Sequence, residues 1–266
     1  MDADLFFLRV TCYLKYLFFS GSRKGHGIHS PFVFDFVTGV LANKKDPEWL
    51  LMVEKVRKKL KGDGRILEVT DLGAGYEGVE IKSVKISDIV RSSAVPKKFG
   101  ILLSNMAREF GRPLIIEFGT SLGISTMYLA CGCSGARVLT MEGSAALAEV
   151  AAGNFKEAGL ANIEIMTGSF DEKLDEIIEM GIRPGLVFLD GNHRKEPTLN
   201  YFSKIAKISD PETVVIIDDI NYSAEMHEAW SLIKEHEKVS VTIDIFRMGI
   251  VFFRKGTFRQ SYLIRY

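Results

Sequence analysis

From residue 113 onward the chain alternates short apolar runs with amphipathic stretches. The runs LIIEF (114–118), RVLTME (137–142), NIEIMT (162–167), LVFLD (186–190) and TVVIID (213–218) are dense in Val, Ile and Leu. Parallel strands covered on both faces have this texture, so the pattern predicts five buried strands. Between them, SAALAEVAAGNFKEAGL (144–160) and KEPTLNYFSKIAKI (195–208) have helical spacing and length. Strand–helix alternation of this kind predicts an α/β fold with a doubly wound sheet. Two further runs, VSVTIDIF (239–246) and GIVFFRK (249–255), are joined by so few residues that only an antiparallel hairpin can connect them. The expected sheet is therefore seven-stranded and mostly parallel, with an antiparallel terminal hairpin.

The first hundred residues read differently. Ser30-Pro31 and Asp46-Pro47 each place an N-cap residue before a proline suited to the first helical position, ahead of FVFDFVTGVLA and EWLLMVEKVRKKL. An N-terminal helical extension over 1–95, ahead of a main domain over 96–266, is the expected organisation. Within it, the run Ile66-Leu67-Glu68-Val69 leads into the glycine-rich DLGAGYEG (71–78). No buried strand ending in an acid follows that loop. Residues 71–98 are instead expected to form an irregular lid or substrate cover with Gly73 and Gly75 as turn residues.

The 266 residues carry 34 Lys+Arg against 34 Asp+Glu, so no net field draws a polyanion and nucleic acid is not an expected partner. Three cysteines give no disulfide framework, which points to a reducing compartment and a cytoplasmic location. Cys131-Gly132-Cys133 lacks a second ligand pair at zinc spacing and reads as small residues ending a packed helix. The segment LFFLRVTCYLKYLFF (5–19) is interrupted by Arg9 and Lys15 and is too short to span a bilayer. No small-residue cleavage site follows it. The expectation is an apolar helix docked on the body or on a second copy in a homodimer, with a membrane-surface helix as the alternative.

Ligands of an open parallel sheet bind outside the carboxyl ends of the strands. Those ends are Glu117-Phe118-Gly119, Glu142, Ser169, Asp190 and Asp218-Asp219. After the first run, EFGTSLGIS offers Gly119 and Gly123 for close backbone approach and the positive end of the following helix. Glu142 ends the next strand 25 residues after Glu117, where a carboxylate can accept both hydroxyls of a ribose.

Taken together, IIEFGTSLGISTMYLA, VLTMEGS, MTGSFDE, LVFLDGNH and VVIIDDINY resemble, in order and spacing, the class I S-adenosylmethionine-dependent methyltransferases. The closest likeness is to small-molecule O-methyltransferases of the catechol O-methyltransferase type, and it covers roughly residues 96–255. Ahead of it, GHGIHSPFVFDFV looks like the opening of uncharacterised bacterial methyltransferases of this class. The resemblance implies a Rossmann-like methyltransferase fold, S-adenosylmethionine as cofactor and a small-molecule acceptor. It implies that Glu117, Gly119, Thr120, Ser121 and Gly123 line the methionine end of the cofactor, with Ser125 near its carboxylate. Glu142 would bind the ribose and Met141 would pack near the adenine. Ser169 and Phe170 would complete the adenine pocket, and Asp190 would face the cofactor's amino group or a metal.

Methyl transfer to a hydroxyl needs an aligned nucleophile and removal of its proton. Catechol-type enzymes hold a magnesium ion on three oxygen ligands, which lowers the acceptor's pKa. The matching positions here are Asp190, Asp218 and Asp219, with Asp219 where the family usually has asparagine. The alternative is that Asp218 faces the pocket and Asp219 caps the turn into the next helix. His193, where the family carries a catalytic lysine, is either a general base or a loop histidine bonded to a neighbour. His26 and His29 read as structural, and Trp230 as core. The competing functions are an NAD-dependent oxidoreductase and a non-catalytic cofactor-binding or interaction domain. Against the first, no tyrosine has lysine four residues on.

Overall fold

A computed structural model, which describes residues 3–21, 24–71, 80–256 and 258–266, divides the chain into two units. One comprises residues 1–43 and 183–266, the other residues 44–182. In chain order the elements are α1 (Ala3–Phe19), α2 (Pro31–Asp35), a π-helical turn (Phe36–Leu41), α3 (Leu50–Lys61), β1 (Ile66–Asp71), β2 (Glu80–Lys85), α4 (Ile86–Ser93) and α5 (Lys97–Phe110). Then follow β3 (Leu114–Phe118), α6 (Ile124–Gly132), β4 (Arg137–Glu142), α7 (Ala145–Glu157), β5 (Ile163–Thr167) and α8 (Phe170–Glu179). The chain closes with β6 (Leu186–Leu189), α9 (Lys195–Ile208), β7 (Val214–Ile217), α10 (Ala224–Glu235), β8 (Val241–Asp244), β9 (Gly249–Phe252) and β10 (Gln260–Leu263).

In the unit 44–182, β3, β4 and β5 lie side by side and parallel, with Phe118 opposite Met141 and Glu142 opposite Thr167. The register brings the strand ends that carry Glu117 and Glu142 together. All five residues of β3 are buried, and so are the last five of β4. Only Met166 is buried in β5, so the expectation of a fully buried strand fails there. Its outer side has no strand partner among the described residues, and Glu164 pairs across the exposed surface with Arg137 at 2.5 Å.

On this unit α5 packs closely against α6. Tyr128 lies over Gly100, where a Cβ would come within 2.4 Å of its ring, and Gly132 meets the Ser104 backbone equally closely. The Cys131-Gly132-Cys133 step therefore ends a packed helix, as its small residues imply. Burial pushes the Cys131 thiol up to about 11, the range of an inert cysteine. Helix α3 starts at Leu50, three residues after the expected proline. Trp49 rather than Asp46 stands at its N-cap position, with no side-chain cap, and the Asp46 carboxylate pairs with Lys97 Nζ at 2.7 Å.

The segment 71–98 is not irregular throughout. Strand β1 pairs antiparallel with β2 in a two-stranded sheet, Ile66 opposite Lys85, and α4 follows directly. Gly73 and Gly75 lie outside the described residues.

In the other unit the strand order is β10-β8-β9-β7-β6, with β9 antiparallel to both of its neighbours. The hairpin is thus as expected, and the parallel pairs are β6 with β7 and β8 with β10. Counted over both units, eight strands rather than seven lie in these runs. The extra one, β10, is short and half-exposed, and Ser261 bonds Thr242 across it at 2.9 Å. Helix α1 docks on this unit, with the Tyr13 and Tyr16 rings 5.2 and 5.3 Å from Phe246. The Tyr16 hydroxyl accepts from the Tyr266 amide at 2.7 Å, and Arg265 donates to the Leu17 carbonyl. Ser30 caps α2 as expected, accepting from the Val33 amide, and Trp230 is core, with its indole N–H on Asp244 Oδ2 at 3.2 Å.

Candidate active site

The turn between β3 and α6 is pinned to the neighbouring strand: the Gly119 and Thr120 amides both donate to the Met141 carbonyl, at 3.0 and 3.1 Å. Gly119 (φ 90°), Ser121 (φ 48°) and Gly123 (φ 83°) all adopt left-handed backbone. This folds the loop back so that the Ser121 amide reaches Glu142 Oε2 at 2.7 Å. The Ser144 amide donates to Oε1 of the same carboxylate at 2.9 Å. Glu142 is almost fully buried, and burial raises its pKa while these amides hold it down. The Ser121 and Ser144 amides hold separate oxygens, and the Gly143 amide adds to them. A carboxylate fixed at both ends is suited to accept two further hydroxyls.

Glu117 is fully buried. Its Oε2 accepts from Thr126 at 2.5 Å and Thr140 at 2.7 Å, and Thr140 in turn bonds Thr120 at 2.6 Å. Its Oε1 has no hydrogen-bond partner among the described residues. Burial pushes the carboxyl up to about 7, opposed by the hydroxyls of Thr126, Ser125 and Thr140. A buried oxygen left without a donor is costly in a finished site. It fits a site that awaits a cationic or N–H group.

The folded state holds the Glu117 proton that the unfolded chain releases near pH 4.5, so this contribution to stability falls as pH rises from there through about 7. From pH 5 to 8 the wild type is expected to lose stability that Glu117→Gln does not lose. The difference is about 3 kcal/mol by the energy of one pKa unit. Parallel urea midpoints for the two proteins across that range would refute the assignment.

The remaining members of the expected pocket are differently engaged. Met141 is wholly buried and acts on the loop through its carbonyl. Ser125 is buried in the first turn of α6. Ser169 caps α8, accepting from the Glu172 amide at 3.3 Å, and the ring of Phe170 meets that of Phe118 edge-on at 5.6 Å. Sequence pattern does not single out Thr126, Thr140 or Ser144. Their positions beside the strand-end acids are the signal that could have found them.

In the unit 1–43/183–266, Asp218 is fully buried and bound by Arg247 in a fork: Nε to Oδ1 at 2.8 Å and Nη2 to Oδ2 at 2.6 Å. Arg247 Nε also lies 3.9 Å from Asp219, and Asp190 contributes to the field that favours its charge. The expected metal trio of Asp190, Asp218 and Asp219 must therefore be corrected. Among the described residues no group of three His, Cys, Asp or Glu converges as a metal requires, and a guanidinium takes both oxygens of the central acid. The residues do not fit magnesium. Asp219 adopts φ 54° and its carbonyl accepts from Tyr222, while Ser223 caps α10. Burial, then the Asp218 charge, raises the Asp219 pKa against Arg247, His193 and Arg9.

His193 stands with Nε2 3.7 Å from Asp190 Oδ1, beyond hydrogen-bond length but close enough for ion pairing. Its ring lies 6.0 Å from Tyr222, over which Arg9 of α1 is also placed at 6.0 Å. His26 and His29 are exposed.

Residues 116–220 match the family model described as a methyltransferase domain. A search of curated proteins by sequence finds no significant match. Among solved structures, the chain is similar to an O-methyltransferase from Bacillus cereus in complex with SAH, at 24% identity over 83% of this chain and 97% of that one, TM-score 0.57. It is similar to the O-methyltransferase TomG from Streptomyces achromogenes in complex with SAM, at 21% identity over 84% and 95%, TM-score 0.56. An SAH-bound methyltransferase from Podospora anserina gives 12% identity over 85% and 97%, TM-score 0.57. The glycine turn pinned to β4, the paired strand-end acids and the antiparallel β9 lie in a chain that has the class I methyltransferase fold and whose residues 116–220 match a methyltransferase-domain model.

Proposed function

We propose that the chain is an S-adenosylmethionine-dependent methyltransferase that methylates a hydroxyl of a small molecule. The observation that carries this reading is Glu142, a buried carboxylate whose two oxygens are held by the Ser121 and Ser144 amides in an orientation suited to ribose hydroxyls. The cofactor supplies an activated methyl group on a cationic sulfur. This chain's residues bind, orient and manage a proton. The unpartnered Oε1 of Glu117 suits the ammonium of the methionine end, with Gly119, Thr120, Ser121, Gly123 and Ser125 around it. Met141, Ser169 and Phe170 would form the adenine side. His193, which stands beside Asp190, would take the acceptor's proton.

Titration calorimetry of the full chain with S-adenosylhomocysteine and with NAD separates this reading from the oxidoreductase. Binding of S-adenosylhomocysteine alone is expected, and binding of neither would leave an interaction domain. The O-methyltransferase structures among the neighbours support a hydroxyl as acceptor.

Three free cysteines and the sequence of the opening segment support a cytoplasmic, bacterial protein. No helix among the described residues is long and apolar enough to cross a membrane. A homodimer through α1 is part of the proposal: Phe7, Val10, Leu14 and Phe18 form an exposed stripe at helix-packing spacing. Sedimentation equilibrium showing only monomer would remove it.

A further inference from the structure

The three acids at the ends of β6 and β7 point to a cation, and the structure supplies one from the chain itself. Arg247 comes from the turn between β8 and β9, 29 residues after Asp218. Its fork on Asp218 uses donors at 2.6 and 2.8 Å, a planar bidentate match that a point charge cannot reproduce. Asp219 lies on the same guanidinium at 3.9 Å, and its left-handed backbone turns it into that position. Asp218 has no exposure, so an ion that displaced Arg247 would have to break a buried, charge-assisted pair.

We propose that Arg247 is the resident cation of this strand tip, standing where a divalent ion would have to stand, so that the tip binds no divalent cation and Arg247 is the residue that positions Asp218 and Asp219. The inference extends the methyltransferase reading by making the reaction independent of metal, but its structural half stands without that reading. A guanidinium cannot lower an acceptor's pKa by direct ligation as a metal does. The acceptor proton then falls to a side-chain base, and the charge of the tip is set by the protein and not by the cation supply.

The test is Mn2+ binding by the full chain, read by electron paramagnetic resonance and by thermal shift. The wild type is expected to bind no Mn2+ at about 1 mM, the weak end of carboxylate sites. Arg247→Ala is expected to gain one site per chain and a melting temperature that rises with Mn2+. Asp219→Ala on that background is expected to lose the site. Binding in the wild type that Asp218→Asn abolishes would overturn the proposal, as would a folded Arg247→Ala that binds none. If Arg247→Ala fails to fold, Arg247→Lys and the wild-type titration decide: Mn2+ binding by either at the Asp218 site overturns it, and silence in both upholds it. S-adenosylhomocysteine titration of the wild type is run beside these. Its failure would sink the methyltransferase reading, while the Mn2+ result alone would still decide the role of Arg247.

Discussion

Glu142→Ala is expected to weaken S-adenosylhomocysteine binding by about 100-fold or more, two charge-assisted hydrogen bonds being worth roughly 3 kcal/mol together. Two losses combine. The ligand loses an acceptor for both hydroxyls, and the amides of Ser121 and Ser144 lose the carboxylate that fixes the loop. Ser144 is fully buried, so its amide has no water to turn to. Glu142→Gln keeps one acceptor oxygen and is expected to retain more affinity than alanine, with a loss of about 10-fold. Calorimetry checks both. An alanine variant that binds within threefold of the wild type would show that Glu142 only braces the turn.

Glu142 is legible in the sequence because its position follows from local pattern. An apolar run sets a strand, the strand's last residue sets the tip, and a 25-residue spacing puts a second tip beside the first. The register of β3 on β4 bears this out, with Phe118 opposite Met141. Arg247 is not legible, for the converse reason. It sits in a short hairpin turn that sequence pattern marks only as the link between two apolar runs, and its partner is far away along the chain. Charge alone leaves Asp190, Asp218 and Asp219 awaiting a cation and does not say which. Likewise Ser169 reads from sequence as a pocket residue, although serine before FDE is also a capping pattern, and its hydroxyl serves the Glu172 amide.

The two glycine-rich stretches, 71–78 and 119–123, differ on the same ground. Ile66–Asp71 is a strand, as its apolar residues suggest, but among the described residues it pairs only with β2, in a separate two-stranded sheet. Glycines after an apolar run do not make a cofactor loop. What distinguishes Gly119 and Gly123 is the neighbour: a parallel strand whose Met141 carbonyl holds the Gly119 and Thr120 amides and whose Glu142 holds that of Ser121.

Gly123→Ala is expected to be the most damaging single-methyl change in this turn. At φ 83° the backbone is left-handed, and an added Cβ would stand 2.4 Å from Phe155 Cε1 and 2.6 Å from Cζ. Phe155 lies in α7 and is buried, so its ring has little room to move. The strain costs about 1–2 kcal/mol by the left-handed penalty, and the overpacking adds about 1–3 kcal/mol. A loss of about 2–5 kcal/mol, the two terms together, is expected in urea unfolding, with S-adenosylhomocysteine binding lost as α6 and its buried Ser125 are displaced. Phe155→Leu on the same background separates the two causes. Removing the ring edge should return the packing share and leave the backbone share, so the double variant is expected to recover only part of the stability. Full recovery would mean that the left-handed conformation at 123 costs nothing. No recovery would place the damage in the backbone alone, and the close approach of α7 would then not be what demands glycine there.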